Sequence, residues 1–185
     1  MDRRSWLVAA GAAALGGAGR SAPAMPASAV PSELRSLAVL DFELVDDQHN
    51  PLTQAAQLIR LRNATLQLQR ELAQQHLYRV VDLAPAQELL RHLQSQQEYM
   101  YRCDDCAEQV GRLLGVDLVM ATWVQKVSEL ILNLNVQILE VKTQKLVLVK
   151  SVDMRGNTDE SWSRAVHYLV RDMAEKRALN PRYAQ

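Results

Sequence analysis

The chain has 185 residues, with 21 basic and 21 acidic side chains and therefore no formal net charge at pH 7. A near-neutral chain without a basic cluster has no electrostatic basis for binding nucleic acid or anionic lipid. After the amino-terminal segment, no apolar run reaches the length of about 18 residues that a spanning helix needs, so the sequence predicts no stable membrane insertion once that segment is removed.

The segment 1–29 has the pattern of a bacterial export signal. A basic start, with Arg3 and Arg4 in the letters DRRSWLV, precedes the uncharged stretch AAGAAALGGAG and two A-x-A cleavage sites that end at Ala24 and Ala29. The arginine pair is similar to the twin-arginine motif, although an acidic residue precedes it and valine stands where lysine is common, so general secretion is the alternative route. We expect a periplasmic protein whose net charge is about −2 after cleavage.

The chain then alternates between strand and helix patterns. Residues 30–36 form a Pro/Ala/Ser-rich linker, and SLAVLDF at 36–42 is a short apolar run typical of a buried strand. DDQHNP at 46–51 is a turn-forming cluster. The segment 52–75 consists mostly of strong helix formers. It carries one apolar stripe at helical spacing: Leu61, Ala64, Leu68 and Leu72.

A second strand and two helices follow. YRVVDL at 78–83 is the strand, and Pro85 begins a helix that continues to Leu93, because proline is favoured at the first helical position. After the polar connection SQQEYMY, a helix over about 104–114 ends at Gly115, a typical C-cap.

Three closely spaced strands and a final helix complete the pattern. The strands 116–127, 130–141 and 145–154 have short connections, which implies antiparallel hairpins, whereas the helices between the first three strands of the chain imply parallel pairing. Asn157 is predicted as the N-cap of the last helix, with Glu160 as its capping-box partner. That helix carries an apolar stripe: Trp162, Ala165, Val166, Leu169, Val170 and Met173.

These elements predict an α/β (α+β) fold in the order β-α-β-α-α-β-β-β-α. It has a single mixed sheet of about five strands with about four helices packed on it. We expect one globular domain over 37–175, followed by a flexible tail at 176–185.

Several segments resemble the domain found at the amino end of TolB and in CsgG-like proteins. They are the strand AVLDF, the long helix after it, the strand YRVVD, the helix-to-strand step GRLLGVDLVMATWVQKV and the hairpin that ends in LEVKTQKLV. The pattern covers roughly 37–173. Because these are structural positions, the resemblance implies a fold and carries little information on function.

Three longer segments resemble an uncharacterised proteobacterial family of exported proteins: CDDCAEQVGRLLGVD, WVQKVSELILNLNV and RGNTDESWSRAVHYLVRD. Members of that family occur in methylotrophs and near genes for quinoprotein alcohol dehydrogenases. The resemblance covers nearly the whole mature chain. It implies a biological context, with no catalytic residues and no cofactor.

The two cysteines of the chain, Cys103 and Cys106, stand three residues apart at the start of a predicted helix. In an oxidising compartment such a pair tends to form a disulfide, and its spacing suits the Cα separation that a disulfide needs. The pattern favours a structural disulfide. A thiol-redox pair is the first alternative, although the carboxylates of Asp104 and Asp105 oppose the low thiol pKa that it requires. A zinc site is the second, and it would need two further ligands.

Two other groups are candidates for contacts with a partner or a small ligand. The first lies in RGNTDESW: Arg155, Asn157, Asp159 and Trp162. A capped strand-to-helix turn is the alternative explanation of this group. The second is the polar face of the strand 130–141: Asn133, Asn135 and Gln137. An exposed sheet surface is the alternative to a recognition face there.

The sequence contains no G-x-S-x-G, P-loop or H-E-x-x-H motif. We therefore predict a non-enzymatic periplasmic interaction domain, which the family context links to a quinoprotein-linked oxidation system. The alternatives are a thiol-redox protein that uses Cys103 and Cys106 and, third, a small-ligand or metal carrier. We assign no metal ligands.

Overall fold

The computed structural model of the chain describes residues 33–46 and 51–185. Its strands are β1 (Ser36–Val39), β2 (Glu43–Asp46), β3 (Arg79–Val81), β4 (Leu118–Lys126), β5 (Ile131–Glu140) and β6 (Lys145–Arg155). Its helices are α1 (Pro51–Gln74), α2 (Gln87–Gln96), α3 (Cys106–Leu114) and α4 (Asp159–Leu179), with short 3-10 turns at Ala84–Ala86 and Met100–Arg102. The predicted signal peptide, the beginning of the predicted linker and the centre of the DDQHNP turn lie outside the described residues.

One mixed sheet organises the domain. Its strand order is β3-β1-β4-β5-β6, and β2 also pairs with β4 beyond the end of β1. β1 pairs in parallel with β3 and β4, and β2 pairs in parallel with β4. β5 is antiparallel to both β4 and β6. The predicted α/β fold with a mixed sheet and four helices is confirmed. In the part of the chain that the structure describes, the sheet has six strands, one more than predicted.

The additional strand is β2, which the sequence pattern merges with the run before it. The chain bends after β1, where the Thr122 hydroxyl donates to the Leu40 carbonyl at 2.9 Å and the Phe42 N–H donates to the Thr65 hydroxyl at 3.0 Å. These bonds to side chains replace ladder bonds at the bend. The chain returns to strand pairing with β4 at Glu43.

The two faces of the sheet pack against different helices. α1 and α4 cover one face, and their predicted apolar stripes are confirmed as part of its core. Fully buried members of this core are Leu37, Leu68, Leu72, Leu118, Leu134, Ile138, Leu169 and Met173. α2 and α3 pack on the other face over a smaller core: Ala38, Leu40, Leu90, Val110, Val119 and Ala121. Within the described residues, no helix combines the length and the apolar character that crossing a bilayer requires.

The predicted alternation of β5 is confirmed along the strand. Leu132, Leu134, Val136 and Ile138 are buried in the core beneath α1 and α4. Asn133, Asn135 and Gln137 lie half-buried on the opposite face. Leu130 is an exception, because it precedes the strand in a turn where the Val127 N–H donates to the Ile131 carbonyl, and its side chain is exposed.

The bounds of α4 differ from those predicted. Its N-cap is Thr158 instead of Asn157, and the capping-box partner is Ser161 instead of Glu160. The hydroxyl groups of Thr158 and Ser161 each accept from the backbone N–H of the other residue, at 3.2 and 3.1 Å. At its other end the helix continues to Leu179, past the predicted domain boundary at residue 175.

The end of the chain packs against the larger core. Arg177 donates to the Leu77 carbonyl at 2.5 Å and to the Ala184 carbonyl at 2.9 Å, and the Tyr78 hydroxyl donates to the Ala184 carbonyl at 2.5 Å. Ala184 is buried. The folded domain therefore includes much of the segment 176–185, which the sequence assigns to a tail.

Candidate functional site

The sheet face opposite α1 and α4 is only partly covered by helices. α2 and α3 pack near the start of β4, and no helix of the described chain lies over the other end of β4 and its neighbours β5 and β6. The strand register places half-buried and exposed side chains side by side there. We call them the ladder surface: Trp123, Gln125, Asn133, Asn135, Ser151 and Asp153. Polar groups dominate this part of the sheet, whereas apolar side chains dominate where the sheet contributes to the larger and the smaller core.

The amide groups of the ladder surface are only partly engaged with the protein. Asn133 Nδ2 donates to Asp153 Oδ1 at 2.5 Å, and Asn135 Nδ2 donates to the Asn133 carbonyl at 3.0 Å. In the described part of the chain, no donor bonds to the Oδ1 atom of either asparagine. Both oxygens can therefore accept hydrogen bonds from a partner.

An aromatic segment, residues 99–102, lies against the ladder surface, and we call it the aromatic strap. The ring of Tyr101 stacks on the ring of Trp123, with a centroid distance of 4.2 Å and an interplanar angle of 7°. The Arg102 guanidinium lies 5.3 Å from the ring centroid of Tyr99 and 5.4 Å from that of Tyr101. Tyrosine, tryptophan and arginine are the residue types that dominate binding energy at protein interfaces.

Side chains of the sheet hold the aromatic strap in place. The carboxylate of Glu43 accepts from the Met100 N–H at 2.7 Å and from the Tyr101 N–H at 3.4 Å, and Gln137 Nε2 donates to the Tyr101 carbonyl at 3.0 Å. Burial raises the pKa of Glu43, and the two backbone hydrogen bonds counteract part of that increase. Met100 is buried and fixes the strap to the smaller core.

A disulfide between Cys103 and Cys106 follows the strap directly. The two Cα atoms are 5.5 Å apart, and the bond connects the end of the strap to the first residue of α3. Cys106 is fully buried, and the carboxylate of Asp105 lies 3.5 Å from Cys103 Sγ. These three residues are the one group of metal-ligand type among the described residues, and the disulfide engages both of its sulfur atoms.

The predicted group in RGNTDESW contributes mainly to contacts inside the domain. The Trp162 side chain is only 2% exposed, and its Nε1–H donates to Asn157 Oδ1 at 2.9 Å. Asn157 Nδ2 in turn donates to Glu129 Oε2 at 2.8 Å. Trp162 therefore belongs to the core beneath α4, and Asn157 connects that helix to the turn before β5.

The other two members of this group lie in different surroundings. Asp159 accepts from Arg60 Nε at 2.7 Å, which ties the start of α4 to α1. Arg155 is exposed at the end of β6, where it pairs in register with Ile131. It lies on the same face of β6 as Asp153, so of the predicted group only Arg155 adjoins the ladder surface.

A buried lysine is a feature that the sequence pattern does not reveal. The Lys126 side chain is 1% exposed and lies 2.9 Å from Asp46 Oδ2 and 2.7 Å from Glu129 Oε1. Burial acts to lower the pKa of Lys126, but its hydrogen bonds to Glu129 and Asp46 outweigh burial and raise the pKa above the usual value. The same lysine, together with Asn157, lowers the pKa of Glu129. The cluster fixes the ends of β2 and β4 next to the ladder surface.

Comparison with solved structures finds distant similarities. The C-terminal domain of LpoB from Salmonella enterica is 16% identical with a TM-score of 0.46, over 68% of this chain and 86% of that one. TolB from Acinetobacter baumannii is 11% identical with a TM-score of 0.48, over 82% of this chain and 29% of that one. The lipoprotein GNA1162 from Neisseria meningitidis is 13% identical with a TM-score of 0.44, over 76% of this chain and 99% of that one.

Comparison by sequence gives the family. None of the curated proteins matches the chain. Residues 35–173 match DUF3280, a family described as "Protein of unknown function (DUF2380)". The matched segment extends from β1 through β6 and into α4, so it includes the ladder surface, the aromatic strap and the disulfide. The chain therefore belongs to the DUF3280 family.

Proposed function

We propose that the protein is an exported, non-enzymatic interaction domain that binds a partner protein through the ladder surface and the aromatic strap. The observation that carries the proposal is the stack of Tyr101 on Trp123, which holds an aromatic and arginine patch against a polar, uncovered part of the sheet. Large anchors beside hydrogen-bonding amides match the composition of protein interfaces.

The strap is fixed in position without a partner, which supports a recognition role. Glu43 binds the backbone of Met100 and Tyr101, Gln137 binds the Tyr101 carbonyl, and the disulfide begins at the next residue after the strap, Cys103. A partner that binds such a pre-organised patch immobilises few additional side chains. Less of the interaction energy is then lost to conformational entropy.

The chemistry of the ladder surface supports binding without catalysis. The amides of Asn133 and Asn135 donate and accept hydrogen bonds, and the rings of Trp123 and Tyr101 provide stacking area. A catalytic site would pair a nucleophile with an adjacent general base. Ser151 and Asp153 belong to the ladder surface, but within the described residues Asp153 accepts from Asn133 and forms no hydrogen bond with Ser151. Our proposal therefore assigns the surface neither a catalytic residue nor a cofactor.

The compartment and the partner are part of the same proposal. The export-signal pattern at 1–29 and a disulfide pair at Cys103 and Cys106 both fit an oxidising periplasm. The resemblance to exported proteins encoded near quinoprotein dehydrogenases supports a more specific version, in which the partner belongs to a quinoprotein-linked oxidation system.

The test is affinity capture of the tagged protein from a periplasmic extract, with partners quantified by mass spectrometry. Tyr99→Ala, Arg102→Ala and Asn135→Ala are each expected to lower the recovery of the same partner by about tenfold or more. Arg171→Ala is the matched control, because Arg171 is likewise exposed and lies 5.6 Å from the ring centroid of Tyr168 on α4.

The possible results separate the two levels of the proposal. Equal recovery with the three variants and the control would reject the ladder surface as the binding site. Recovery of a quinoprotein dehydrogenase component would support the specific version. A different partner that responds to the variants would keep the interaction role and reject the quinoprotein link.

A further inference from the structure

The groove between β2 and the first half of α1 forms a second candidate site, separate from the ladder surface. We propose that it accepts an extended, apolar segment of a partner protein that carries a basic side chain, as an additional strand beside β2. The groove has a volume of about 530 Å³, and the residues that matter for its chemistry are Phe42, Leu44, Gln57, Leu58 and Leu61. We call it the strand groove.

No strand among residues 33–46 and 51–185 occupies the position beside the outer edge of β2. The pairing of β3 with β1 ends at the pair of Ala38 with Val81, and β2 begins further along the chain at Glu43. β2 pairs with β4 along one edge, and no strand of the described residues lies along its other edge. Such an edge presents backbone N–H and C=O groups that pair readily with an added strand.

Gln57 provides a second, independent sign of a missing partner. Its side chain lines the strand groove and is only 3% exposed, yet its buried Nε2 atom has no hydrogen-bond partner among the residues that the structure describes. A buried amide donor without an acceptor is costly and uncommon in native proteins. A backbone carbonyl of a strand added beside β2 would supply that acceptor.

The apolar lining indicates which side chains the added strand carries. Leu58 lines the groove and is 60% exposed, although it lies beside buried Phe42 and Leu61. A second cavity of about 370 Å³ shares these three residues and continues along α1 to Leu66, which is also exposed. The apolar surface is therefore long enough to contact several successive side chains of an extended segment, of which alternate ones face α1.

The charges along the groove favour a basic residue in the partner. Asp41, Glu43 and Asp46 line the two connected cavities together with one basic residue, Arg62. Lys126 pairs with Asp46, and Glu43 also accepts from the backbone N–H groups of Met100 and Tyr101. The three carboxylates and two basic side chains still sum to a charge of −1. A segment with a lysine or arginine complements this excess negative charge.

The proposal is tested with a fluorescein-labelled heptapeptide of alternating valine and lysine, added to the purified protein. We expect saturable binding in fluorescence anisotropy and slower hydrogen exchange of the β2 amides. The same peptide, N-methylated at alternate backbone nitrogens, keeps its side chains but cannot pair as a strand along that edge. It is expected to bind about tenfold or more weakly.

Two variants examine the lining. Gln57→Leu removes the buried donor, so it is expected to keep or raise the melting temperature of the free protein while it weakens peptide binding several-fold. Leu58→Glu is expected to weaken binding by about tenfold with little change in melting temperature. Leu179→Glu is the matched control, since Leu179 is exposed at the end of α4 and away from the groove lining.

Each contrary result overturns a defined part of the inference. A lower melting temperature for Gln57→Leu would show that its amide has a partner within the protein. No binding, or binding that survives backbone methylation or Leu58→Glu, would exclude strand addition. A dimer of the free protein that Leu58→Glu dissociates would make a second copy the occupant in place of a partner. Arg102→Ala, which tests the ladder surface, is expected to leave peptide binding unchanged, so failure of one site is distinguishable from failure of the other.

Discussion

The ring of Tyr101 lies nearly parallel to the ring of Trp123, with the two centroids 4.2 Å apart, and this contact joins the segment between α2 and α3 to the middle of β4. Trp123 pairs in register with Glu43 on one side and with Asn135 on the other. Trp123 therefore lies between Glu43, which binds the backbone of the aromatic strap, and Asn135 of the ladder surface. A change in the stack is therefore expected to affect both.

Replacement of Tyr101 by leucine tests the stack. We expect Tyr101→Leu to lower the free energy of unfolding by about 1 kcal/mol, because an aromatic pair contributes roughly 0.5–1.5 kcal/mol beyond the area that it buries. Tyr168→Leu, at an exposed position on α4, is the matched control and should change it much less. Urea unfolding measures both values, and near-ultraviolet circular dichroism reports the loss of the stacked pair. Similar values for the two variants would show that the stack adds nothing to stability.

Local patterns in the sequence account for most of the fold. The apolar stripes of α1 and α4 and the alternation in β5 predict the larger core, because each of these elements has one face against it. Gly115 ends α3 with a φ of 63°, as its position after the last apolar residue of that helix predicts. These features depend on neighbours within a few residues.

The candidate site depends on contacts between distant parts of the chain, and it is harder to predict. β2 has only four residues, and their sequence alone does not indicate that this segment pairs with β4. The letters YMYR have no helix or strand period, so the strap becomes apparent only when Tyr101 is placed on Trp123. Lys126 is buried because Asp46 and Glu129 converge on it. The one signal for Lys126 in the sequence is a charge near the end of a long apolar run.

The pairing of Asp117 with Ser36 leads to a prediction about pH. Asp117 Oδ2 accepts from the Ser36 N–H at 2.8 Å and from the Ser36 hydroxyl at 2.6 Å, and these bonds lower the pKa of Asp117. A lowered folded-state pKa gives stability that is present above the unfolded-state pKa and is lost as the pH falls through the folded-state value. We expect Asp117→Asn to cost about 1 kcal/mol or less at neutral pH, since the group is exposed, and progressively less as the pH falls through the folded-state pKa of Asp117.

Urea unfolding of the parent protein and of Asp117→Asn, from neutral to acidic pH, measures the difference between their free energies of unfolding. Asp104→Asn, at another exposed acidic position, is the control for loss of one negative charge from the surface. A constant difference between Asp117→Asn and the parent at all pH values would mean that ionisation of this carboxylate does not contribute to folding.

Trp162 and Asp172 test the docking of α4. We expect Trp162→Ala to cost about 3–5 kcal/mol, because a fully packed indole leaves a cavity and Asn157 loses the shorter of the two hydrogen bonds to its side-chain oxygen. Asp172 lies outside the apolar stripe of α4, and on that ground alone Asp172→Ala would cost little. The structure raises that expectation to about 1 kcal/mol, since Asp172 binds Lys150 at 2.5 Å and Lys176 at 3.0 Å. Thermal and urea unfolding measure both costs, and equal small values would contradict the packing of α4 described here.

The disulfide between Cys103 and Cys106 is expected to act as a structural clip at the start of α3. Its loop contains only four residues, so the combined change Cys103→Ser with Cys106→Ala should lower the free energy of unfolding by about 2 kcal/mol or less. Alanine is used at the second position because Cys106 is fully buried, and serine would leave a hydroxyl in the core. Glu43 and Gln137 still hold the strap in this variant, so capture of the partner should fall by well under tenfold.

A thiol-redox role predicts a different set of results for the same pair. If the protein is exported as proposed, a redox role predicts free thiols in protein taken from the periplasm and a disulfide potential well above that of structural disulfides. Cys106→Ser would then trap a mixed disulfide through Cys103. We expect both cysteines to be blocked to thiol labelling and no trapped species. Cys106 is inaccessible, and the carboxylate of Asp105 near Cys103 Sγ disfavours a thiolate there. Recovery of one specific mixed-disulfide partner would reject the structural role of the disulfide and support a redox function.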